Sequence, residues 1–312
     1  MTGVGSRGTL IRMGVLALLW GSSFLWIKFA LQGFSPGQIA IGRIALGAVV
    51  LVVLCYSGRQ RLPKDPKVWL RLIFAAFFGS ALPFFLFGFG EETVDSGVAG
   101  VLNATTPLWA LLIGVVMRQE RRLFSLRMLG LVLGFTGTLL IFAPWQSHGL
   151  ASWGALAILA AAASYAVAYT YIGLKLSGKG VGPIPLSAAQ LITATGLSTL
   201  LLPIDGFEPV ELSLISVIAV VILGVFGTGV AFALNYRLIA DEGAVAATAV
   251  GYLLPVVSVL LGAVVLDEPV TLRVVIGMVV VLLGVGMTRW QPRNPAVPLA
   301  VPAVAAEPQK TS

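Results

Sequence analysis

Long apolar stretches alternate with short polar connections along almost the whole chain. Ten of them approach the length of about 20 apolar residues that a helix needs to cross a bilayer. They cover residues 11–31, 36–56, 68–90, 94–117, 126–143, 150–173, 184–203, 213–236, 242–266 and 271–290. Only 11% of the 312 residues are charged, whereas a soluble domain carries about a quarter. The pattern predicts an all-α integral membrane protein with ten transmembrane helices.

The formal net charge of +7 is distributed as a topology signal rather than as a nucleic-acid-binding surface. Lys and Arg concentrate in the cytoplasmic loops of membrane proteins. If the N-terminus lies inside, the basic clusters at 59–71, 118–127 and 175–179 all fall on the cytoplasmic side, and the outer side receives only Arg273. We therefore predict a multi-pass protein of the plasma (inner) membrane, with both termini cytoplasmic and no nucleic-acid partner.

An internal repeat relates the two halves of the chain. Residues 79–120 and 227–268 align without a gap at a spacing of 148 residues. The alignment pairs Gly79 with Gly227, Phe84 with Phe232, Pro107 with Pro255, Gly114 with Gly262, and Glu120 with Glu268. Each copy holds five predicted spans, so the second copy must enter the membrane from the opposite side.

The predicted architecture is therefore a pair of inverted five-helix repeats, at residues 11–143 and 150–290. A disordered cytoplasmic tail rich in Pro and Ala follows at 291–312. Inverted repeats are common in secondary transporters, where the substrate binds near the membrane midplane between the repeats. This is the strongest functional indication in the sequence.

Several stretches resemble the EamA family of the drug/metabolite transporter superfamily. They are LLWGSSFLWIKFAL from Leu18, AIGRIALGAVVLVVL from Ala40, the unit from Pro107 to Glu120, and LGLVLGFTGTLLIF from Leu129. The resemblance implies a ten-helix carrier of small metabolites, often an exporter of amino acids or related compounds. The second half departs from the opening pattern, because Ser164-Tyr165-Ala166 stands where the first half has Trp20-Gly21. The family's substrates are diverse, so the substrate is not identified.

Two cations lie inside the apolar stretches. At 1.5 Å per residue, Lys28 lies in the outer third of the first predicted helix and Arg43 roughly 10 Å into the second. Lys28 either extends to the headgroups or joins Arg43 in an electropositive zone. Arg43 either pairs structurally, for example with Glu91, Glu92 or Asp95, or binds a substrate carboxylate or phosphate through its guanidinium fork.

The sequence shows no carboxylate near the middle of any predicted span, and its single histidine, His148, falls in a predicted outer loop. Transporters that couple to protons commonly use a buried Asp or Glu as the proton carrier. We therefore expect a zwitterionic or neutral metabolite that moves by facilitated export, and proton coupling stays an open alternative.

Uncharged polar and aromatic residues near mid-span complete the predicted site. The predicted substrate-binding residues are Trp20, Ser23, Lys28, Arg43, Asn103, Tyr165, Tyr169, Gln190, Asn235 and Tyr252. Asn103 and Tyr252 shortly precede Pro107 and Pro255, and a proline inside a helix frees the carbonyl four residues earlier. We expect both prolines to bend their helices and expose backbone groups to a cavity. For each polar residue, helix–helix packing is the alternative.

Transport by alternating access is the favoured hypothesis, with a small-molecule substrate, a surrounding of membrane lipid, and a monomeric or weakly dimeric protein. A flippase for a lipid or lipid-linked sugar stays open, since it needs only a lateral opening between helices. A membrane enzyme is disfavoured because the sequence has no H-E-x-x-H, Asp-rich motif or P-loop. We expect no metal and no cofactor. A channel is disfavoured because no ring of identical charges is visible.

Overall fold

The structure is a computed structural model. It describes residues 7–94, 96–117, 126–143, 152–201, 203, 209–243, 247–257, 260 and 270–288, so Asp95, Glu120, Glu268 and the predicted tail at 291–312 lie outside the described residues. Within these ranges the chain forms helices and turns, without a β-strand. The α-helices are α1 (Arg7–Gly21), α2 (Ser23–Ala30), α3 (Pro36–Ser57), α4 (Pro66–Ala76), α5 (Leu82–Thr93), α6 (Ser96–Asn103), α7 (Thr106–Val116), α8 (Leu126–Phe142), α9 (Trp153–Lys175), α10 (Pro183–Ser198), α11 (Leu214–Gly224), α12 (Ala231–Glu242) and α13 (Leu272–Thr288).

Six helical segments in the described part of the chain are long and apolar enough to cross a membrane. They are Gly8–Ala30, Pro36–Ser57, Pro66–Thr93, Val98–Val116, Trp153–Lys175 and Leu214–Glu242. Two further apolar helices, Met128–Ile141 and Leu272–Met287, are shorter. The predicted class, an all-α membrane protein, is therefore confirmed, whereas the number of ten spans stays a prediction.

Local sequence explains where several helices begin. Pro36 occupies the first turn of α3, and the Ser35 and Gln38 side chains each accept a hydrogen bond from the other's backbone N–H. The first N–H groups of a helix have no partner within the helix, so proline loses nothing there and a capping side chain satisfies its neighbours. Ser213 caps α11 in the same way, and Pro183 begins α10.

Two of the spans contain π-helical turns that the sequence pattern does not reveal. The first covers Phe77–Ala81 and joins α4 to α5. The second covers Val225–Val230 and joins α11 to α12. The two turns begin 148 residues apart, which is the spacing of the internal repeat that the sequence predicts. A π-turn interrupts the regular helical hydrogen bonding, and such turns often occur at functional sites.

Helices α8 and α13 approach each other through glycines. A Cβ atom added at Gly284 would lie 2.5 Å from the backbone nitrogen of Gly134 and 2.6 Å from the carbonyl oxygen of Gly130. A Cβ atom at Gly137 would lie 2.7 Å from the carbonyl oxygen of Gly277. Small residues permit such close contact between membrane helices. The Gly130-x-x-x-Gly134 sequence is thus used for packing within the chain.

Candidate functional site

A small cavity, here the central cavity, lies between the helices. Its volume is about 70 Å³. Its lining residues are Trp20, Ser23, Phe24, Ile27, Arg43, Phe84, Phe87, Asn103, Thr106, Tyr165, Tyr169, Phe232, Ala247, Thr248, Gly251 and Leu254. Ligand pockets usually measure about 300–1,000 Å³. A metabolite could therefore bind here only after the cavity expands.

Arg43 is the only charged side chain among the described residues that line the central cavity. It is 4% exposed. Its Nε atom donates a hydrogen bond to Thr228 Oγ1 at 3.1 Å, and its Cζ atom lies 4.0 Å from the centroid of the Phe84 ring. The two terminal nitrogens make no hydrogen bond to any described residue. The guanidinium is thus held at one edge, while its other edge is available for a carboxylate.

Aromatic rings form much of the remaining wall. Phe84 meets Phe232 at a centroid distance of 6.0 Å, with the rings edge to face. Tyr165 stacks against Phe87 at 5.9 Å and against Tyr169 at 5.8 Å. Such contacts between rings are favourable in addition to the burial of their surface. A solute in the cavity would meet one cation and several apolar faces.

Trp20 and Ser23 lie on either side of the break between α1 and α2, and both contact the second π-turn. The indole Nε1 of Trp20 donates to the carbonyl oxygen of Gly227 at 3.1 Å. Ser23 Oγ donates to the carbonyl oxygen of Leu19 at 2.9 Å. It also lies 3.0 Å from the place that a Cβ atom would occupy at Gly227. A side chain at position 227 would therefore displace this wall of the cavity.

Asn103 and Thr106 line the cavity at a helix break. Helix α6 ends at Asn103 and α7 begins at Thr106. Pro107 has no N–H to donate to the carbonyl oxygen of Asn103, and Thr106 Oγ1 donates to that oxygen instead, at 2.7 Å. In the second half, a 3₁₀ turn at Ala249–Tyr252 precedes Pro255. Both turns contribute residues to the cavity.

Three predicted site residues lie behind the cavity wall in this conformation. Gln190 Nε2 donates to Ser80 Oγ at 2.9 Å, and Gln190 Oε1 accepts from the hydroxyl of Tyr236. Asn235 is 1% exposed and lies beside Tyr169. The fully buried ring of Tyr252 packs against Gly134. Here these three side chains contribute to packing between helices rather than to the lining.

Lys28 faces a second cavity, which we call the vestibule. Its volume is about 480 Å³, and it is lined by Lys28, Leu31, Gln32, Gly33, Phe34, Ser35, Pro36, Glu91, Glu92, Pro209 and Glu211. Lys28 Nζ donates to the backbone carbonyl of Glu91. Despite three glutamates here, the described residues contain no group of three or more His, Cys, Asp or Glu side chains that could hold a metal ion.

One helical turn separates the Lys28 contact from the central cavity. Phe24 and Phe87, four residues earlier on α2 and α5, line the central cavity with their rings 5.9 Å apart. The ring pair and the Lys28–Glu91 hydrogen bond therefore lie between the two cavities. Lys28 is placed at this barrier and does not line the central cavity with Arg43.

A third cavity, the lateral groove, opens on the outside of the bundle. It measures about 250 Å³ and is lined by Leu18, Leu19, Ser22, Ser23, Trp26, Ile222, Leu223, Phe226 and Gly227. Leu18 is 48% and Phe226 50% exposed, so the groove is continuous with the apolar surface of the helices. Ser23 lines both the groove and the central cavity.

Sequence reasoning missed the phenylalanines of the cavity and the burial of Glu91. Phe24, Phe84, Phe87 and Phe232 do not stand out in an apolar chain, although the pairing of Phe84 with Phe232 in the repeat was a usable signal. The sequence placed Glu91 at the outer end of its span. The structure buries it completely.

A charged side chain buried inside an apolar helix bundle, as Arg43 is here, marks a functional site in membrane proteins. The model of the EamA-like transporter family matches residues 10–143 and again residues 152–290. The chain belongs to this family. The resemblance that the sequence motifs indicated is therefore confirmed.

Several relatives are similar over most of their length. An uncharacterized transporter of Archaeoglobus fulgidus is 30% identical over 282 residues, which cover 87% of this chain and 96% of the relative. The uncharacterized transporter YdfC of Bacillus subtilis is 29% identical over 280 residues, with 89% and 90% covered. The uncharacterized inner membrane transporter YedA of Escherichia coli K12 is 29% identical over 258 residues, covering 79% of each chain.

One solved crystal structure has a TM-score of 0.73 to this chain, at 22% identity and with 91% of this chain and 98% of the other covered. At that identity the likeness shows the fold alone. Together, the family and the apolar helices show that this protein is a membrane transporter.

Proposed function

We propose that this protein is a secondary transporter that exports a small amino-acid-like zwitterion by alternating access. Arg43 carries the proposal, because it is a buried cation with two nitrogens available on a small cavity lined by aromatic rings. The carboxylate of an amino acid would bind these nitrogens as a two-pronged acceptor. Its side chain would pack against rings such as Phe84 and Phe232 after the cavity expands.

Two hydrogen bonds support the proposed pair of repeats, at residues 11–143 and 150–290. Arg43 and Gln190 each lie seven residues after the proline that begins their helix, Pro36 or Pro183. Arg43 donates to Thr228 in the second π-turn, and Gln190 donates to Ser80 in the first. Ser80 and Thr228 are paired in the repeat alignment. Each proposed half thus binds the other through the equivalent pair of positions.

The glycine contacts between α8 and α13 also recur with the two proposed halves exchanged. In the repeat, Gly130 pairs with Gly277 and Gly137 with Gly284. The close approach of Gly137 to Gly277 has its counterpart in the approach of Gly284 to Gly130. Contacts that recur with the partners exchanged are the property of a two-fold axis. The two separate matches of the family model support the same division of the chain.

Contacts near both ends of the bundle support an occluded state within the alternating-access cycle. Arg12 forms a salt bridge of 2.6 Å with Asp241, which joins α1 to α12. Lys28 binds the carbonyl of Glu91, which joins α2 to α5. In the proposed topology the first contact is near the cytoplasmic face and the second near the outer face. Opening either side would require one of these contacts to break.

Flux into liposomes tests this function. The purified protein is reconstituted, and uptake of a panel of labelled amino acids, purines and sugars is compared with that of empty liposomes. We expect at least one amino acid to move at a protein-dependent rate. Unlabelled amino acid on the opposite side should accelerate the exchange, as expected for a carrier. Transport of purines or sugars alone would contradict the proposed substrate, and a rate without saturation would contradict a carrier.

The lateral groove favours a flippase for a lipid or lipid-linked sugar as a second candidate. It opens to the lipid-facing surface, and among the described residues Ser23 alone belongs to both the groove and the central cavity. The same liposomes, loaded with a fluorescent phospholipid, distinguish the candidates. A flippase would make the inner-leaflet probe accessible to an external quencher. An amino-acid carrier would leave it protected.

A further inference from the structure

The π-helical turn at Val225–Val230 places two consecutive residues against the guanidinium of Arg43. Thr228 Oγ1 accepts a hydrogen bond from Arg43 Nε at 3.1 Å. A Cβ atom at Gly227 would lie 3.8 Å from Arg43 Nη2, so any side chain at this position would lie against that terminal nitrogen. The turn therefore binds the guanidinium through Thr228, while the glycine beside it adds no side chain over Nη2.

The single hydrogen of the Thr228 hydroxyl is already used within its own helical segment. Thr228 Oγ1 donates it to the carbonyl oxygen of Leu223 at 2.8 Å. Leu223 lies five residues earlier, which is the spacing of a π-helical turn. A hydroxyl has one hydrogen and two lone pairs, whereas a guanidinium has only donors. The hydrogen bond to Leu223 therefore leaves the oxygen of Thr228 as an acceptor for Arg43.

The methyl group of Thr228 fixes the same side chain from its other branch. A Cβ atom at Gly47 would lie 2.7 Å from Thr228 Cγ2, so the methyl occupies the space that a larger residue at position 47 would need. Gly47 lies on α3, one turn after Arg43. Thr228 is completely buried. Its hydroxyl and its methyl thus contact α3 at successive turns, and the two contacts together set its rotamer.

The equivalent contact of the other proposed half is completed within the protein. Gln190 donates to Ser80 in the first π-turn, as Arg43 donates to the second. The remaining polar atom of Gln190, Oε1, accepts from the hydroxyl of Tyr236. The repeat alignment pairs Tyr236 with Gly88, which has no hydroxyl. The half that contains Arg43 therefore keeps the anchoring contact, lacks the closing tyrosine, and ends at the central cavity.

We propose that Thr228 is a positioning residue, which holds the guanidinium of Arg43 so that its two terminal nitrogens are presented together to the substrate carboxylate. The inference deepens the proposed function of the central cavity as an amino-acid site and rests on it. Thr228 is not among the described residues that line the central cavity, so it acts through Arg43. A guanidinium that is held in advance need not be ordered during binding, and such ordering weakens affinity.

Two substitutions at position 228 separate the hydroxyl from the methyl. Thr228→Val keeps the shape of the side chain and removes the hydrogen bond, whereas Thr228→Ser keeps the hydroxyl and removes the methyl. The readout is the half-saturation concentration in proteoliposomes for the amino acid that the wild type carries fastest. We expect about a three- to tenfold rise in Thr228→Val, which is the cost of ordering one long side chain. Thr228→Ser should stay near the wild-type value, and the reverse order would show a packing role and overturn the proposal.

Two further variants test whether the effect passes through Arg43. In an Arg43→Gln background, Thr228→Val should add no further rise, because the group that it positions is already gone. Thr138→Val is the matched control, since Thr138 is also completely buried and donates to a carbonyl of its own helix, that of Gly134. It should keep the wild-type value. An undiminished effect of Thr228→Val in the Arg43→Gln background, or an equal effect of Thr138→Val, would overturn the proposal.

The remaining outcomes are also decisive. If Thr228→Val does not fold, Thr228→Ala takes its place, because alanine and serine both lack the methyl and differ only in the hydroxyl. A higher half-saturation concentration in Thr228→Ala than in Thr228→Ser supports the proposal, and equal values overturn it. A wild type that carries an amino acid while Thr228→Val keeps its half-saturation concentration would remove only the role of Thr228. A wild type that carries no amino acid would overturn the proposed function of the cavity, and the role of Thr228 with it.

Discussion

The ring of Phe84 meets the ring of Phe232 edge to face, with 6.0 Å between their centroids. The two residues are 148 positions apart and paired in the internal repeat. When equivalent residues touch each other, the axis that relates them passes through their contact. In the proposed arrangement this axis therefore crosses the central cavity, where the guanidinium of Arg43 covers Phe84. The substrate site and the seam between the repeats would then coincide.

Replacing Arg43 by glutamine should lower transport of the amino acid about ten- to hundredfold. Hydrogen bonds to a charged group contribute about 1.5–3 kcal/mol, and each 1.4 kcal/mol is about a factor of ten in affinity. Arg43→Lys should recover only part of the loss, because an ammonium lacks the planar fork. Initial rates in proteoliposomes measure the effect. The exposed Arg237 provides the control, and Arg237→Gln should keep the wild-type rate. Equal rates in all three variants would disprove the site.

Gly284→Ala should destabilise the protein. The new methyl group would lie within 2.6 Å of backbone atoms of Gly130 and Gly134, and backbone cannot yield as a flexible side chain does. Overpacking of this kind usually costs about 1–3 kcal/mol. Gly286→Ala, on the same helix, meets nothing within 4 Å and is the matched control. Thermal unfolding in detergent should show a lower midpoint for the first variant only. Equal midpoints would contradict the described packing of α8 on α13.

Tyr236→Phe should weaken the packing of α12 on α10, within the second proposed half. The hydroxyl of Tyr236 donates to Gln190 Oε1 in a fully buried site. Its removal leaves that oxygen without its donor, at a cost of about 1–3 kcal/mol. Tyr56 is 57% exposed, so Tyr56→Phe should leave the unfolding midpoint unchanged. A Tyr236→Phe variant as stable as the wild type would show that the hydrogen bond contributes nothing.

Lys28→Met should loosen the barrier between the vestibule and the central cavity. The substitution removes the hydrogen bond to the Glu91 carbonyl while keeping a long apolar side chain. A cysteine at Ser23, in a Cys55→Ser background, reports the opening through its reaction with a membrane-impermeant thiol reagent. We expect faster labelling in the Lys28→Met variant. Lys64→Met, which changes a lysine outside the vestibule, is the control. Unchanged labelling would mean that Lys28 does not close this barrier.

The sequence predicted an all-α membrane protein and several residues that line the central cavity, because both predictions depend on local composition. Apolar runs predict spans, and Pro107 predicts the break beside Asn103 since a missing N–H acts only four residues away. Arg43 also stood out, because a cation inside an apolar run is unusual. The depth of such a residue in the membrane can be predicted, because each residue of a helix advances by about 1.5 Å.

The orientation of side chains around a helix was not predictable in the same way. Lys28 and Arg43 have similar predicted depths, yet Lys28 lines the vestibule and Arg43 the central cavity. Gln190 was expected at the site and is held behind it by Ser80 and Tyr236. These outcomes depend on which neighbours each helix meets. The contact of Trp20 with a carbonyl of the second π-turn also joins residues far apart in the chain, and the sequence pattern did not predict it.

Gln32 and Lys179 test the inverted repeat most directly. Both are exposed, they precede α3 and α10, and each lies four residues before the helix-starting proline of its proposed half. Single cysteines at the two positions, in a Cys55→Ser background, are labelled with an impermeant maleimide in intact and in permeabilised cells. Opposed repeats put Gln32→Cys outside, labelled in intact cells, and Lys179→Cys inside, labelled only after permeabilisation. Labelling of both cysteines from the same side would contradict the inverted repeat.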